Sequence, residues 1–225
     1  MRVLLFLICL FALPARGEDV DLELVLLADA SGSIDGAEID FQRQGYATAM
    51  TDPEVLRAIQ TTAYGRIAVT YVEWAAAGTE DGVVPWTVIA DQADAATFAS
   101  ALIGPPRRAY GRTAIGSALL TGLRLIEENE IDGWRKVIDF SGDSANNWNG
   151  PPIASARAEV LAAGITINGL AILCRFCNGR PSDADLEQLY QERIIGGHGA
   201  LVVNADRPDR FAEAVKRKLI QEIYG

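Results

Sequence analysis

The chain of 225 residues is 49% apolar and 22% charged, with 21 glycines, 9 prolines and a formal net charge of −10. This apolar content is enough for one well-buried core, and it excludes a disordered, collagen-like or polytopic membrane protein. Because thirty acidic residues outnumber twenty basic ones, a partner that binds through phosphates would be repelled. Nucleic acid is therefore excluded as a ligand.

The first seventeen residues have the pattern of an export signal. Arg2 precedes an apolar run over residues 3–13, and the small-residue pattern Ala15-Arg16-Gly17 follows. The run is too short to span a bilayer, so we expect a cleaved signal peptide over residues 1–17 rather than an uncleaved anchor. We expect residues 18–225 to form a single periplasmic or secreted domain with no membrane span. Its net charge becomes −12, because the signal removes two arginines and no acid from the total of −10.

Apolar runs and amphipathic stretches then alternate along the chain, which predicts strands separated by helices. The predicted strands cover residues 22–28, 66–74, 83–90, 136–140, 165–173 and 200–204. Most of these runs are continuously apolar, as strands covered by helices on both faces must be. The pattern predicts an α/β fold with a doubly wound (Rossmann-like), mainly parallel sheet of about six strands. The short turn over residues 78–82 predicts one antiparallel edge strand.

Helix starts carry their own signals. Asp35 stands three residues before Glu38, and Ser182 stands three before Asp185, as in capping boxes. Apolar residues at helical spacing mark one face of each of three later helices: Ile115, Leu119, Leu123 and Ile126; Leu186, Leu189, Tyr190 and Ile194; and Phe211, Val215, Leu219 and Ile223. In a parallel sheet of this kind the ligand site lies beyond the carboxyl ends of the strands.

The carboxyl end of the first predicted strand carries a cluster of oxygen ligands. It continues as Asp29-Ala30-Ser31-Gly32-Ser33, which places one carboxylate and two hydroxyls at alternate positions. Mg²⁺ prefers six oxygen ligands and usually keeps some of its water, so a loop that supplies part of the shell suits it. This loop predicts a divalent cation site.

The pentapeptide resembles the D-x-S-x-S motif of von Willebrand factor type A domains. Such domains add a Thr from a second loop and an Asp from a third, and this chain offers Thr113 before a helix and Asp143 after a strand. The resemblance covers nearly all of residues 18–225. It implies a metal-ion-dependent adhesion site (MIDAS) with Asp29, Ser31, Ser33, Thr113 and Asp143 around Mg²⁺, with Mn²⁺ or Ca²⁺ as alternatives.

Taken alone, these residues have simpler interpretations, because Asp, Ser and Thr are common in turns and helix caps. The third loop also departs from the family pattern, since Gly142 separates Asp143 from Ser141. Asp139, inside the strand, is therefore a rival ligand, although we favour Asp143. The Ser-Gly-Asp loop resembles a bacterial secreted subgroup of undefined function (DUF1194-like).

The loops around the predicted site are rich in residues that binding surfaces favour. We expect a partner-binding rim at Tyr110, Arg112, Asn147 and Trp148, with Arg107 and Arg108 adding positive charge that suits an acidic partner group. Alternatively, the loop folds Trp148 back onto its own domain.

Cys174 and Cys177 are the two cysteines of residues 18–225. In an oxidising compartment their C-x-x-C spacing predicts a local disulfide. Redox chemistry and zinc binding are the alternatives, but zinc would need His198, the single histidine, from a distant loop.

The resemblance implies a binding module in which the metal accepts an Asp or Glu from a partner protein. An enzyme is less favoured for two reasons. Aspartate-based hydrolases place a second Asp two residues after the first, whereas Asp29 of this chain is followed at that position by Ser31. No Ser, His and acid triad is recognisable either, since His198 is the sole histidine and lies in a Gly-rich stretch. A metal-independent interaction domain or scaffold is the third interpretation.

Overall fold

The computed structural model describes residues 18–173 and 185–225. The predicted signal peptide and the Cys174–Cys177 disulfide lie outside these ranges, as does the predicted helix start at Ser182. Within the described ranges no helix is both long and apolar enough to cross a membrane.

A six-stranded sheet forms the centre of the molecule. Its strands are β1 (Glu18–Asp29), β2 (Ile67–Trp74), β3 (Asp81–Ile89), β4 (Ile131–Gly142), β5 (Thr166–Ile172) and β6 (Val202–Ala205). The spatial order is β3-β2-β1-β4-β5-β6, and every pairing is parallel except the antiparallel pair β2 and β3. The predicted fold class and its antiparallel edge strand are confirmed.

Helices cover both faces of the sheet. They are α1 (Gly36–Met50), α2 (Pro53–Gln60), α3 (Gln92–Leu102), α4 (Ile115–Glu127), α5 (Ile153–Ala162), α6 (Leu186–Arg193) and, after a 3₁₀ turn at Pro208–Arg210, α7 (Phe211–Tyr224). Asp35 caps α1 as predicted, because its carboxylate accepts the Glu38 N–H at 2.9 Å and the Glu38 carboxylate accepts the Asp35 N–H at 2.8 Å.

The core has two halves, one on each face of the sheet. Leu24 and Leu26 of β1 pack with α1, α2, α3 and α7, whereas Val25 and Leu27 pack with α4, α5 and α6. Because successive strand residues point to opposite faces, a continuous apolar run serves both halves.

β1 and β4 begin well before the predicted residues 22 and 136. β1 starts at Glu18 and β4 at Ile131, and these two residues pair in register. The first half of β1 contains carboxylates that bind backbone groups: Asp21 accepts the Tyr64 N–H at 2.9 Å from the loop before β2, and Glu23 accepts the Gly133 N–H at 2.8 Å from the start of β4. Because these buried side chains are polar, a hydropathy pattern does not detect the strand starts.

Candidate metal centre

The first loop of the candidate site begins where β1 ends. Asp29 is buried, and its Oδ1 accepts the backbone N–H of Ser31 at 2.7 Å. This bond folds the chain back at once, and the Ser31 and Ser33 hydroxyl oxygens lie 3.2 Å apart. One carboxylate and two hydroxyls thus converge on the same side of a tight turn.

The third loop begins where β4 ends, beside the first. Ser141 of β4 pairs in register with Ala28 of β1, so both strands end at the same edge of the sheet. Asp143 follows and interacts with the Ser33 hydroxyl and the Asp29 carboxyl. Gly142 is needed at this junction, because a Cβ there would lie only 3.0 Å from Asp29 Oδ2 and 3.1 Å from Tyr190 Oη. The unusual glycine before Asp143 therefore makes room for the paired carboxyls.

The second loop joins the other two. The Gly111 carbonyl accepts the Gly32 N–H at 2.8 Å, and the Thr113 carbonyl accepts the Trp148 N–H at 2.8 Å. Thr113 is buried. It does not cap α4, because the N-cap residue is Ala114 and the free N–H of Gly116 is accepted by the Asn147 side chain instead. The simpler interpretation of Thr113 as a helix cap is therefore wrong.

Three buried oxygens of these loops have no hydrogen-bond partner within the described chain: Asp29 Oδ2, Thr113 Oγ1 and Asp143 Oδ1. An unsatisfied buried polar atom costs about 1 to 3 kcal/mol, so three at the meeting point of three loops need an explanation. Each atom is a hard oxygen donor of the kind that Mg²⁺, Mn²⁺ or Ca²⁺ binds. The residues present therefore fit a divalent cation.

The electrostatics of the site also favour a cation. Burial, together with the charge of Asp143, raises the pKa of Asp29 to about 7. Burial also raises the pKa of Asp143, to which the Glu38 charge adds. Within the described residues no group of three or more His, Cys, Asp or Glu side chains is placed to hold a metal. Any ion here would depend on the hydroxyls as much as on the two carboxylates.

Asp139, the rival ligand, lies elsewhere. It is buried against α7, where its Oδ1 is 2.7 Å from Lys218 Nζ. Of the two carboxylates, only Asp143 is brought together with Asp29 and the hydroxyls. In a regular strand Asp139 and Asp143 would point to the same face, but β4 ends at Gly142 and Asp143 interacts with Asp29 instead.

One family model, described as "Protein of unknown function (DUF1194)", matches residues 19–225. The chain belongs to the DUF1194 family. No curated protein matches its sequence.

Solved structures share the fold of this DUF1194 chain at low identity. The pilus adhesin SpaC from Lactobacillus rhamnosus GG, in its open conformation, matches with a TM-score of 0.62 and 14% identity over 91% of this chain and 30% of SpaC. A von Willebrand factor type A protein from Catenulispora acidiphila matches with a TM-score of 0.60 and 18% identity over 91% of this chain and 43% of that one. Proximal thread matrix protein 1 (PTMP1) from the mussel byssus, with a zinc-occupied MIDAS motif, matches with a TM-score of 0.58 and 15% identity over 89% of this chain and 46% of PTMP1.

The chain spans less than half the length of each of these proteins. What the likeness shows is the fold: this DUF1194 chain has a von Willebrand factor type A-like α/β structure, as the motifs predicted.

Arg107 has a role in this DUF1194 chain that the sequence did not reveal. Its guanidinium donates to the carbonyls of Ile34 at 2.9 Å and Ser31 at 3.1 Å, and also to the Ala30 carbonyl. Arg107 therefore holds the backbone of the first loop, although the sequence placed it among surface cations. No local sequence pattern could have indicated this role, because Arg107 lies more than seventy residues after the carbonyl groups of the first loop that it binds.

Some residues of the predicted partner-binding rim lie exposed at the surface, and one of them holds the loops together. Trp148 is 63% exposed, with the Arg112 guanidinium 4.7 Å from its ring centroid, and Tyr110 is exposed as well. Asn147 instead accepts the Gly116 N–H at 3.2 Å and donates to the Pro151 carbonyl at 3.0 Å. Trp148 is therefore not folded back onto the core, whereas Asn147 fastens the third loop to the start of α4.

Proposed function

We propose that this protein is an exported, metal-dependent protein-binding module. The residues Asp29, Ser31, Ser33, Thr113 and Asp143 hold a divalent cation, either Mg²⁺ or one of the alternatives Mn²⁺ and Ca²⁺, and the cation accepts an Asp or Glu carboxylate from a partner protein. The proposal includes removal of residues 1–17 as a signal peptide, a single domain over residues 18–225, and a periplasmic or secreted location. It does not include catalysis.

The observation that carries the proposal is the trio of unpartnered oxygens at Asp29, Thr113 and Asp143. A fold that needed these residues only for turns and caps would satisfy those atoms within the chain. A cation bound among them would satisfy all three at once, and it would offset both the burial and the Asp143 charge that raise the pKa of Asp29.

The chemistry of the shell favours an acidic partner. One or both of the two carboxylates act on the ion through water, and the remaining protein ligands are neutral hydroxyls, so the ion keeps an attraction for a further negative ligand. A third carboxylate entering an open position therefore exchanges water for a charged ligand, whereas an apolar or cationic group gains little there. The positive charge of Arg112 beside exposed Trp148 adds an attraction for an acidic surface around that carboxylate.

The similar structures support binding rather than catalysis. SpaC is described as a pilus adhesin and PTMP1 as a protein with a zinc-occupied MIDAS motif. The first description agrees with a binding role, and the second agrees with a divalent cation at this place in the fold.

The first experiment measures thermal unfolding of the purified protein with MgCl₂, with MnCl₂ and with EDTA. At a hundredfold excess over its dissociation constant, an ion that binds only the folded state stabilises by about 2.7 kcal/mol. For a chain of this size the unfolding midpoint then rises by roughly 5 to 10 °C. Thr113→Val removes the hydroxyl but keeps the shape, so the rise is lost, and the matched Thr113→Ser retains the hydroxyl and most of the rise.

The second experiment captures partners from the cell envelope with and without EDTA and compares wild type with two rim variants. Trp148→Ala should weaken binding, and Trp134→Ala should leave it unchanged. Trp134 is the matched control because its ring is 74% exposed but lies at the start of β4, at the end of the sheet away from the candidate site. An unfolding midpoint unmoved by any divalent ion, together with partner capture that survives EDTA, would refute the metal-dependent function and leave the metal-independent interaction domain.

A further inference from the structure

A buried ionic cluster lies under α7, on the far side of the sheet from Asp29. Lys218 Nζ is 2.7 Å from Asp139 Oδ1 and also contacts the Glu222 carboxylate. Lys218 and Asp139 are each 1% exposed, and Glu222 is buried with them. One amine and two carboxyls are thus held in contact away from water, and the proposed metal site uses none of them.

The surroundings of the cluster are apolar and rigid. Its neighbours along β4 and α7, Val137 and Leu219, belong to the half of the core that packs with α1, α2, α3 and α7. Glu222 Oε1 accepts the Asn168 side-chain N–H at 2.9 Å, and the Asn168 carbonyl oxygen accepts the Leu201 N–H at 3.1 Å. Asn168 therefore fixes Glu222, and Glu222 in turn fixes the Lys218 amine against Asp139.

Charges in this position are costly. Taking an ion pair out of water requires several kcal/mol per ion, which its own attraction repays only in part. Burial raises the pKa of Asp139 and raises the pKa of Glu222 to about 7. The reaction proposed below needs one proton of the ammonium on a carboxyl, which places an uncharged amine next to an uncharged carboxylic acid.

We propose that Lys218 and Asp139 are joined, after folding, by an intramolecular amide bond between Lys218 Nζ and Asp139 Cγ. The structure shows the two groups at contact distance before reaction. Lys218 Nζ is 2.7 Å from Asp139 Oδ1, and no other group of the described residues donates a hydrogen bond to that oxygen. Reacting atoms held this close in one orientation gain the equivalent of a very high local concentration.

The reaction balances without any external reagent. The lone pair of the uncharged Nζ attacks Cγ of the protonated Asp139 carboxyl, and the C–N bond forms as the C–OH bond breaks. The hydroxyl leaves as water after taking one proton, and the nitrogen gives up one proton. Overall an ammonium and a carboxylate become a neutral amide and one water, with no oxidation or reduction.

Glu222 is placed to carry that proton. Its carboxylate contacts Nζ directly, so it can take the proton that the nitrogen loses and return it to the leaving hydroxyl. Glu222 and Asn168 also line a cavity of about 400 Å³, together with Trp134, His198 and Tyr224. The cavity gives the released water a route to solvent.

Asp139 rather than Glu222 is the carboxyl that reacts. Glu222 Oε1 is held by two donors, Asn168 and Lys218, whereas Asp139 Oδ1 contacts Lys218 alone among the described residues. A bond to Asp139 would tie α7 to β4 in the centre of the sheet. A bond to Glu222 would only staple one turn of α7.

The test compares the denatured intact mass of the purified wild-type chain with that of Lys218→Arg. Arginine keeps the positive charge opposite Asp139 and cannot form the amide, and the comparison cancels any processing of the N-terminus. Wild type should be lighter than its sequence by one water, and Lys218→Arg should have its sequence mass. After trypsin, wild type should yield residues 137–157 joined to residues 218–225.

Glu222→Gln adds a kinetic readout. It keeps the hydrogen-bonding shape, and loss of the proton carrier should slow formation of the bond by about 100-fold or more, measured as the fraction of joined peptide after synthesis. A wild-type protein at its full sequence mass after prolonged incubation at neutral pH would overturn the proposal. So would a lost water confined to the linear peptide 218–225. Neither result bears on the metal site, because the cluster and the site share no residue.

Discussion

Asp29 and Asp143 lie at the ends of two neighbouring parallel strands and share one buried site, in which the charge of Asp143 adds to burial in raising the pKa of Asp29 to about 7. Two carboxyls in this arrangement destabilise the metal-free fold when both are ionised. The same arrangement is what a divalent cation needs. The site therefore sacrifices stability in its empty state for affinity.

Asp29→Asn should separate these two effects. Asparagine keeps a side-chain oxygen that can accept the Ser31 N–H, as Asp29 does in the wild type at 2.7 Å. It removes one of the two negative charges of the site. At neutral pH and in EDTA the variant should be more stable than wild type by on the order of 1 kcal/mol, since one pKa unit corresponds to about 1.4 kcal/mol. Its unfolding midpoint should no longer respond to Mg²⁺. Urea unfolding in EDTA measures the first effect, and a loss of stability in EDTA would contradict it.

The stabilisation by metal should depend on pH with a definite sign. The pKa of Asp29 rises on folding from 3.8 to about 7, so between these values the folded state binds more protons than the unfolded state. Metal-free stability therefore falls as pH rises through this window. A bound cation favours the ionised carboxylate and removes the fall, so the Mg²⁺-induced rise in unfolding midpoint should grow between roughly pH 5 and pH 8.

The control for this pH series is Asp29→Asn, because Glu222 also titrates in the same window. Glu222 changes the stability of both proteins, with and without metal, and so cancels from the difference that Mg²⁺ makes. A metal effect in wild type that is equally large at both ends of the pH range would show that Asp29 is not the group displaced by the ion.

Gly142→Ala should disturb the junction of the two carboxyls. The new Cβ would lie 3.0 Å from Asp29 Oδ2, and Trp74 is only 3.3 Å away on another side. Overpacking of this kind typically costs about 1 to 3 kcal/mol, and the response to Mg²⁺ should shrink with it. Gly36→Ala is the matched control, because a Cβ at Gly36 meets nothing within 4 Å. Equal unfolding midpoints for the two variants would show that the space beside Asp29 is not limiting.

The arrangement of the sheet and the position of the site followed from simple rules. Continuous apolar runs predicted strands covered on both faces, and the carboxyl ends of parallel strands predicted where Asp29 and Asp143 would meet. The starts of β1 and β4 did not follow from hydropathy, because the buried carboxylates of Asp21 and Glu23 are bound by backbone N–H groups far away in the sequence, those of Tyr64 and Gly133. A hydropathy pattern contains no information about such partners.

Contacts between side chains that are far apart in the sequence could not be predicted either. Nothing in the spacing of Asp139 and Lys218 marks them as a buried pair, and nothing in the basic run near Tyr110 separates Arg107 from Arg108. In each case the deciding fact is which backbone or side-chain atom the fold brings within reach. Local motifs therefore predicted which residues meet at the candidate site better than they predicted the residues that hold its loops in place.

Arg107 and Arg108 provide the last test, because they are adjacent, carry the same charge and differ in what they contact. Arg107 donates to three carbonyls around Ser31, whereas Arg108 is 69% exposed and reaches only Asp81, at 3.8 Å. Arg107→Ala leaves those carbonyls without their charged donor and frees the first loop, so Ser31 and Ser33 lose their fixed positions. Charge-assisted hydrogen bonds contribute about 1.5 to 3 kcal/mol each, so Mg²⁺ affinity should fall by roughly tenfold or more. Arg108→Ala removes the same charge from the same surface and should change Mg²⁺ affinity by less than about twofold, since an exposed ion pair contributes little. Titration calorimetry with Mg²⁺ measures both, and equal losses in the two variants would mean that net charge near the site, rather than the hold on the first loop, sets the affinity.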